Sequence, residues 1–113
     1  MKAKFKVYAG DLIGLPTNEK HLNFRWNTSD CKILFSMSRQ GNAASCHFAS
    51  DKSGKENIIK AINEFVAFVF ENFYWCNMIL AKIKLNKIEQ IVKQCNFIWA
   101  LSTKDYELYV RSK

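Results

Sequence analysis

The sequence of 113 residues contains little of what interrupts folded structure, with four Gly and one Pro. Disordered segments and interdomain linkers are usually rich in such residues and poor in apolar ones, whereas 49% of this chain is hydrophobic. A chain of this length can bury about two thirds of the surface that it exposes when unfolded. We therefore expect a single domain that spans residues 1–113.

Long apolar runs are missing as well. The most apolar stretch, residues 65–80, is interrupted by Glu71, Asn72 and Asn77, and it is shorter than the roughly 20 residues needed to cross a bilayer. At the amino terminus, MKAKFKVY alternates basic with apolar residues, unlike the continuous apolar core of a secretion signal. We expect a cytoplasmic protein without a membrane-spanning segment.

Motifs for metal binding and for disulfide chemistry are also missing. The chain has two histidines and four cysteines, with no Cys-x-x-Cys pair: His21, His47, Cys31, Cys46, Cys76 and Cys95. This spacing matches no standard zinc site. Because thiols stay reduced in the cytoplasm, we expect four free cysteines and no bound metal.

Positive charge, in contrast, is in excess. Lys and Arg number 17 against 10 Asp and Glu, which gives a formal net charge of +7. A cationic surface favours anionic partners such as phosphate, a nucleotide-containing cofactor, nucleic acid or an acidic protein. The lysines are scattered and no nucleic-acid-binding motif accompanies them, so a basic nucleic-acid-binding domain ranks last among the functional hypotheses.

Alternating apolar residues predict strands in the first half of the chain. Patterns of period two occur at residues 4–8, 21–26, 32–38 and 43–50, and the separators NTSD and RQGN are typical of turns. The last three of these runs supply the residues expected on one buried face: Leu22, Phe24, Trp26, Ile33, Phe35, Met37, Ala44, Cys46 and Phe48. We therefore predict a strand at residues 4–8 and an antiparallel meander formed by the three runs that follow it.

The apolar spacing changes to steps of three and four after Ser53, as in an amphipathic helix. Ser53 and Glu56 form a capping box, in which the serine hydroxyl accepts a hydrogen bond from the amide of Glu56 while the glutamate reaches back. The helix should cover residues 54–73. Its wide apolar stripe indicates burial against a sheet.

The rest of the chain predicts a strand, a helix and a hairpin. A strand is expected at residues 77–85 and a helix at 87–95, with Asn86 as the amino-terminal cap. At the other end, Asn96 suits a left-handed cap, and Lys93 lies where the helix dipole favours a cation. The last two strands are expected at residues 97–102 and 106–111, as a hairpin. The order is thus β-β-β-β-α-β-α-β-β. It predicts an α/β (α+β) fold with two helices on a mixed, mostly antiparallel sheet.

This order resembles the GNAT superfamily of acyl-CoA-dependent N-acetyltransferases. The resemblance covers about residues 30–113, and its most telling part is NKIEQIVKQCNFIWA at residues 86–100, which looks like the superfamily's capped Asn, short helix, Gly-Phe-like step and closing strand. The resemblance implies a GNAT fold with acetyl-CoA or CoA as the cofactor.

In that family, the backbone amides of a loop and helix amino terminus bind the cofactor pyrophosphate, in the pattern Gln or Arg, two residues, Gly, one residue, Gly or Ala. The matching segment here is DKSGKE at residues 51–56, which keeps the central Gly54 but has Asp51 and Glu56 at the outer positions. A helix start with nearby lysines favours phosphate, whereas the two carboxylates oppose it. The resemblance implies that the cofactor-binding residues are Lys52, Ser53, Gly54, Lys55 and Glu56.

The catalytic residues of the family carry over less completely. Active members commonly use a Tyr on the last helix to protonate the departing thiolate, and the corresponding position here is Val92 or Lys93. Possible substitutes for this acid are Tyr106 and Tyr109 on the terminal hairpin. Possible bases are His47 and Asp51 at the end of the meander, so these four are the candidate catalytic residues.

The acceptor side is shortened, because DLIGLPTNEK stands where the family has two helices. Together with the altered pyrophosphate loop, this implies a binding or assembly protein with another protein as its partner and with weak or no acetyltransferase activity. Short relatives of this kind are familiar from bacteriophages and other mobile elements. An exposed apolar patch with Trp26, Trp75 or Trp99 would support that function. The main alternative is an active N-acetyltransferase.

Overall fold

The computed structural model describes residues 4–11, 13, 15, 20–27, 32–51 and 57–113. Within these residues the elements follow one another in the predicted order. They are β1 (Phe5–Val7), β2 (Leu22–Trp26), β3 (Ile33–Gln40), β4 (Ala43–Ser50), α1 (Ile58–Asn72), β5 (Met78–Ile83), α2 (Asn86–Gln94), β6 (Ile98–Ser102) and β7 (Glu107–Ser112).

The strands form one seven-stranded sheet in the order β1-β2-β3-β4-β5-β7-β6. β2, β3 and β4 make the predicted antiparallel meander, and β1 extends it by pairing antiparallel with β2. β5 lies parallel to β4 because α1 carries the chain back to the edge from which β4 starts. β7 then inserts between β5 and β6, antiparallel to both. The predicted fold class, a mixed and mostly antiparallel sheet with two helices, is confirmed.

The packing of α1 on the meander forms the centre of the core. The ring of Phe35 on β3 stacks on Phe65 of α1, with centroids 4.2 Å apart and an interplanar angle of 9°. The Phe5 ring packs edge-on against Phe65 as well, with centroids 5.4 Å apart. Apolar strand residues at alternate positions therefore share one face with the helix, as a period of two dictates.

The buried face predicted for the meander is confirmed with one exception. Eight of the nine predicted residues are buried or pack against the core: Phe24, Trp26, Ile33, Phe35, Met37, Ala44, Cys46 and Phe48. Leu22, the ninth, is 48% exposed. It is the first residue of β2, and a strand end has neighbours on fewer sides than a strand interior.

The ends of α2 show one wrong and one correct capping prediction. The helix begins at Asn86 itself with Leu85 in the cap position, and no side chain makes a cap hydrogen bond there. The prediction that Asn86 caps the helix is therefore wrong, because its backbone already lies inside the first turn. The carboxyl end is as predicted: Asn96 has a φ of 65°, and Lys93 lies in the last turn.

The start of α1 is described from Ile58 onward. The predicted capping box of Ser53 and Glu56 lies outside the described part of the chain. Asn57 precedes the helix without a side-chain cap hydrogen bond. The predicted end at residue 73 agrees to within one residue with the observed end at Asn72.

The thiols of the described cysteines lie in or against the core. Cys76 and Cys95 are fully buried, and burial raises the pKa of both thiols. Burial also raises the pKa of Cys46. These cysteines therefore act as small apolar groups at neutral pH.

Neither of the two helices described is long and apolar enough to cross a membrane. Within the same residues, no three His, Cys, Asp or Glu side chains gather in a way that could hold a metal ion.

Candidate functional site

β4 and β5 separate halfway along their length. Their parallel ladder joins residues 43–46 to residues 78–81 and then ends, although β4 continues to Ser50 and β5 to Ile83. Among the strands that the structure describes, β4 pairs beyond this point with β3 only. Backbone groups on its other side are left without a strand partner, and they border an opening in the sheet.

A cavity of about 600 Å³ occupies this opening. Small-molecule sites have volumes of roughly 300–1,000 Å³ and combine apolar walls with a few polar groups. Here the apolar wall comes from both helices and the strands beneath them, and includes Phe35, Phe65, Val66, Ala81, Val92 and Phe97.

His47 reaches the cavity from the face of the sheet opposite the helices. Its neighbours on β4, Cys46 and Phe48, pack against the core. Because side chains alternate along a strand, His47 points to the other face. It is also the first β4 residue beyond the ladder with β5, and it lines the cavity.

The same alternation places Lys82 beside His47. Ala81 and Ile83 are buried on the helix side of β5, so Lys82 points to the opposite face. Its ammonium lies over the ring of Tyr106, 5.4 Å from the centroid, and both residues line the cavity. The cavity therefore passes through the sheet, with apolar walls on the helix side and His47, Lys82 and Tyr106 on the other.

A tight turn between β6 and β7 positions Tyr106. The Thr103 hydroxyl oxygen accepts hydrogen bonds from the amides of Asp105 and Tyr106, at 3.2 and 3.0 Å. The Thr103 amide in turn donates to the carbonyl of Tyr106 at 2.8 Å. These bonds fix the backbone from which the phenol enters the cavity, since a threonine side chain stabilises such a turn.

The surroundings of His47 favour its neutral form. Burial lowers the pKa of the imidazole, and the nearby His21 and Lys82 lower it further. The His21 and His47 ring centroids are 6.3 Å apart. At neutral pH His47 therefore has a free nitrogen lone pair and can accept a proton.

The structure separates the two candidate tyrosines. Tyr109 is buried on β7, where its hydroxyl donates a 2.7 Å hydrogen bond to a carboxylate oxygen of Glu89 on α2. This hydrogen bond and burial raise the pKa of Tyr109 to about 12. Tyr109 is not among the residues that line the cavity, whereas Tyr106 is.

The candidate base Asp51 lies just beyond β4, where its amide donates to the carbonyl of Lys32 at 3.0 Å. It is not one of the cavity-lining residues, and the structure thus brings only His47 of the two candidate bases to the opening. The segment predicted to bind the pyrophosphate, residues 52–56, lies outside the described residues.

On α2, the two positions that could correspond to the family's usual acid are Val92 and Lys93. Val92 lines the cavity and is 2% exposed, whereas Lys93 is exposed. The buried apolar side of α2 therefore turns Lys93 toward solvent. No proton donor therefore reaches the cavity from either position.

Lys82 is a site residue that the sequence reasoning missed. A signal for it exists, because it is the one charged residue in the otherwise apolar strand MILAKI. A charge within a strand predicted to be interior suggests that one face of the strand borders an opening and not a packed layer.

A parallel pair of strands that separates over a cavity, next to an antiparallel meander and a crossover helix, is the architecture of the GNAT acetyltransferases. The chain has a GNAT-like fold. Solved structures agree with this conclusion, although no family model and no curated protein sequence matches the chain.

The chain is similar to the Campylobacter jejuni N-acetyltransferase PseH in complex with acetyl coenzyme A, with 14% identity over 85% of this chain and 70% of that one and a TM-score of 0.73. It is also similar to the aminoglycoside acetyltransferase AAC(6')-Ib in complex with coenzyme A (13% identity, 84% and 68% coverage, TM-score 0.64). A third similar structure is the microcin C7 self-immunity acetyltransferase MccE in complex with acetyl-CoA and AMP. It has 15% identity over 84% of this chain and 62% of that one, with a TM-score of 0.60. At these identities the likeness shows the fold.

Proposed function

We propose that this protein binds an acyl-CoA thioester in the opening between β4 and β5 and transfers its acyl group to an amine. The observation that carries this proposal is that His47 and Tyr106 line one cavity at the point where the β4–β5 ladder ends. Similar structures that contain acetyl coenzyme A or coenzyme A support it.

The opening suits the pantetheine arm of the cofactor. Residues 47–50 of β4 continue beyond the ladder with β5, so their free backbone groups offer strand-like hydrogen bonds to amides of the ligand. The apolar wall beneath the helices would surround the rest of the arm. In this proposal the cofactor phosphates lie toward residues 52–56, at the start of the first helix.

The proposed reaction uses one base and one acid. The amine nitrogen attacks the thioester carbonyl carbon, the carbon–nitrogen bond forms and the carbon–sulfur bond breaks. Neutral His47 accepts the proton that the amine loses, and the phenol of Tyr106 gives a proton to the departing thiolate. The Lys82 ammonium places positive charge at the same opening, where negative charge develops on sulfur.

Filling the cavity tests where the cofactor binds. Ala81 lines the cavity on the helix side, so Ala81→Phe should weaken acetyl-CoA binding by at least about tenfold, or about 1.4 kcal/mol. Calorimetric titration measures the affinity. Ala67 is exposed on α1, so Ala67→Phe is the matched control and should bind like the wild type. Wild-type affinity in a folded Ala81→Phe variant would place the cofactor elsewhere.

The predicted pyrophosphate segment has a separate test. The Lys52→Ala, Lys55→Ala double variant should bind acetyl-CoA more weakly, and the difference should shrink as salt increases, because screening weakens contacts between exposed charges. S-acetylpantetheine lacks the phosphates, and its affinity should be the same for the variant and the wild type. Equal affinity for acetyl-CoA at low salt would show that these lysines do not contact the phosphates.

A second candidate function is a binding or assembly protein, of phage origin or otherwise, that retains the cofactor site without turnover. The observation that favours it is that neither candidate position for the acid on α2 brings a proton donor to the cavity, since Val92 is apolar and Lys93 is exposed. An assay of free CoA release with a panel of amines and polyamines separates the two functions. Acetyl-CoA binding without release of CoA for any acceptor would favour the second.

A further inference from the structure

The two sides of the cavity differ in what an incoming amine would meet. On the helix side its walls are buried apolar side chains such as Phe65 and Phe97. On the opposite face the cavity reaches His47, Lys82 and Tyr106, of which Lys82 is exposed and the other two are partly buried. An amine that is to give its proton to His47 therefore approaches from the face of the sheet away from the helices.

Positive charge predominates on that approach. Lys82 on β5 and Lys84, directly after β5, both line the cavity and are exposed. Asp105 is the single carboxylate among the cavity-lining residues that the structure describes. Two cations against one anion attract an anionic ligand and repel a cationic one.

Cross-strand pairing places a row of polar residues beside His47. His47 pairs with Ser36 on β3, and Ser36 pairs with Asn23 on β2. These side chains lie on the face away from the helices, because the neighbours of Ser36 on β3, Phe35 and Met37, pack in the core. Directly opposite residues have Cβ atoms about 4.5–5.5 Å apart, so the row runs without a break from the opening across the meander.

Two oxygen atoms in this row have no hydrogen-bond partner. They are Oγ of Ser36, a fully buried residue, and the buried Oδ1 of Asn23. Buried polar atoms are nearly always hydrogen-bonded, to protein or to ordered water. Next to His47 the row therefore favours a ligand with polar groups of its own, bonded directly or through water, over an apolar one.

We infer that the acceptor is a hydrophilic amine that also carries a carboxylate or a phosphate group. The inference rests on the proposed acyl transfer and adds the class of substrate. The amine lies at His47, and its anionic group pairs with Lys84. The lysines also favour the unprotonated amine, which is the form that attacks the thioester, because nearby positive charge disfavours an ammonium. A polyamine would instead bring a second ammonium against Lys82 and Lys84.

Four acceptors with the same aminoethyl arm isolate the effect of charge. O-phosphoethanolamine and β-alanine end in an anion, ethanolamine ends in a neutral hydroxyl, and ethylenediamine ends in a second, protonated amine. Rates of CoA release are compared at equal concentrations of the unprotonated amine. The kcat/KM for O-phosphoethanolamine should exceed that for ethylenediamine by at least about tenfold, since one ligand gains and the other loses by contact with exposed lysines. The difference should shrink as salt increases.

Lys84 is the residue to change, because Lys82 already has a part in the proposed chemistry. Lys84→Gln should lower kcat/KM for O-phosphoethanolamine by about fivefold, near the upper value for an exposed ion pair, and should leave ethanolamine unaffected. Lys84→Glu should reverse the preference and favour ethylenediamine, an effect that general damage to the fold would not produce. Lys93 is exposed on α2 and does not line the cavity, so Lys93→Gln and Lys93→Glu are the matched controls and should keep the wild-type ranking.

Equal kcat/KM for the anionic and cationic acceptors, or the same ranking in wild type and Lys84→Glu, would overturn the inference. A wild-type preference for ethylenediamine would also overturn it, and would assign the selectivity to Asp105. Release of CoA with none of the four acceptors would count against the proposed transfer itself. The substrate class is then decided by binding, since NMR line broadening measures the affinity of each amine for the CoA-loaded protein. Equal affinities for O-phosphoethanolamine and ethylenediamine in that measurement would refute it.

Discussion

Replacing His47 with glutamine should slow acetyl transfer by about 10²- to 10⁴-fold, the usual contribution of a positioned base, with acetyl-CoA binding largely unchanged. Glutamine has a polar side chain of similar length, but it does not accept a proton near neutral pH. The loss should therefore appear in kcat and not in the affinity for the cofactor. Steady-state assays of CoA release and calorimetric titration measure the two quantities separately.

The pH profile gives the same prediction a distinct signature. Burial, His21 and Lys82 lower the pKa of His47 from its ordinary value of 6.5. Below this lowered pKa the imidazole is protonated and cannot accept a proton, so wild-type kcat/KM, which reports the ionisation of the ligand-free enzyme, should rise with pH through a midpoint below 6.5. The His47→Gln variant should lack this rise.

His21→Gln is the matched control, because His21 is the neighbouring imidazole and is not among the cavity-lining residues. It should retain most of the activity. Since His21 lowers the pKa of His47, its removal should also move the acidic limb of the profile to slightly higher pH. Equal losses in the two histidine variants would argue against His47 as the base.

Replacing Tyr106 with phenylalanine should lower kcat by about 10²-fold, near the lower end of the range for general acids. The ring and its contact with the Lys82 ammonium remain, and only the phenolic proton is removed. The lower end applies because a thiolate leaves more readily than an alkoxide. Binding of acetyl-CoA should change little.

Tyr109→Phe is the matched control, because it removes a phenolic hydroxyl from the tyrosine three residues further along the chain. Tyr109 bonds to Glu89 and is not one of the cavity-lining residues, so this variant should keep its kcat while its melting temperature falls, because a buried hydrogen bond is lost. The reverse pattern, an inactive Tyr109→Phe and an active Tyr106→Phe, would reassign the acid. If neither variant loses activity, the thiolate leaves without protonation by a tyrosine.

Element order could be predicted because its signals are local. The period of two in Ala43–Ser50 predicted β4 to the residue, and steps of three and four predicted α1, whose buried residues include Ile58, Phe65 and Val69. Asn96 was identified as a left-handed cap from its position after the second helix, and its φ of 65° confirms this. A cap placed one residue wrong, as at Asn86, shifts a boundary without changing the fold.

Cross-strand geometry could not be read from the sequence. Nothing in β4 or β5 alone shows that their ladder ends after Cys46 and Ala81, because the register depends on how α1 and β7 hold the two strands. Choosing between Tyr106 and Tyr109 likewise required the pairing of Ala81 with Tyr109, which turns the latter beneath α2.

The sequence by itself determined the elements, their order and the apolar face that joins the meander to the first helix, since each depends on residues close together in the chain. Only the tertiary structure decided that His47, Lys82 and Tyr106 line one opening, and that Trp99 is exposed while Trp26 is buried. The physical reason is that a strand's neighbours, and hence what its side chains contact, are set by pairing with segments distant in the sequence.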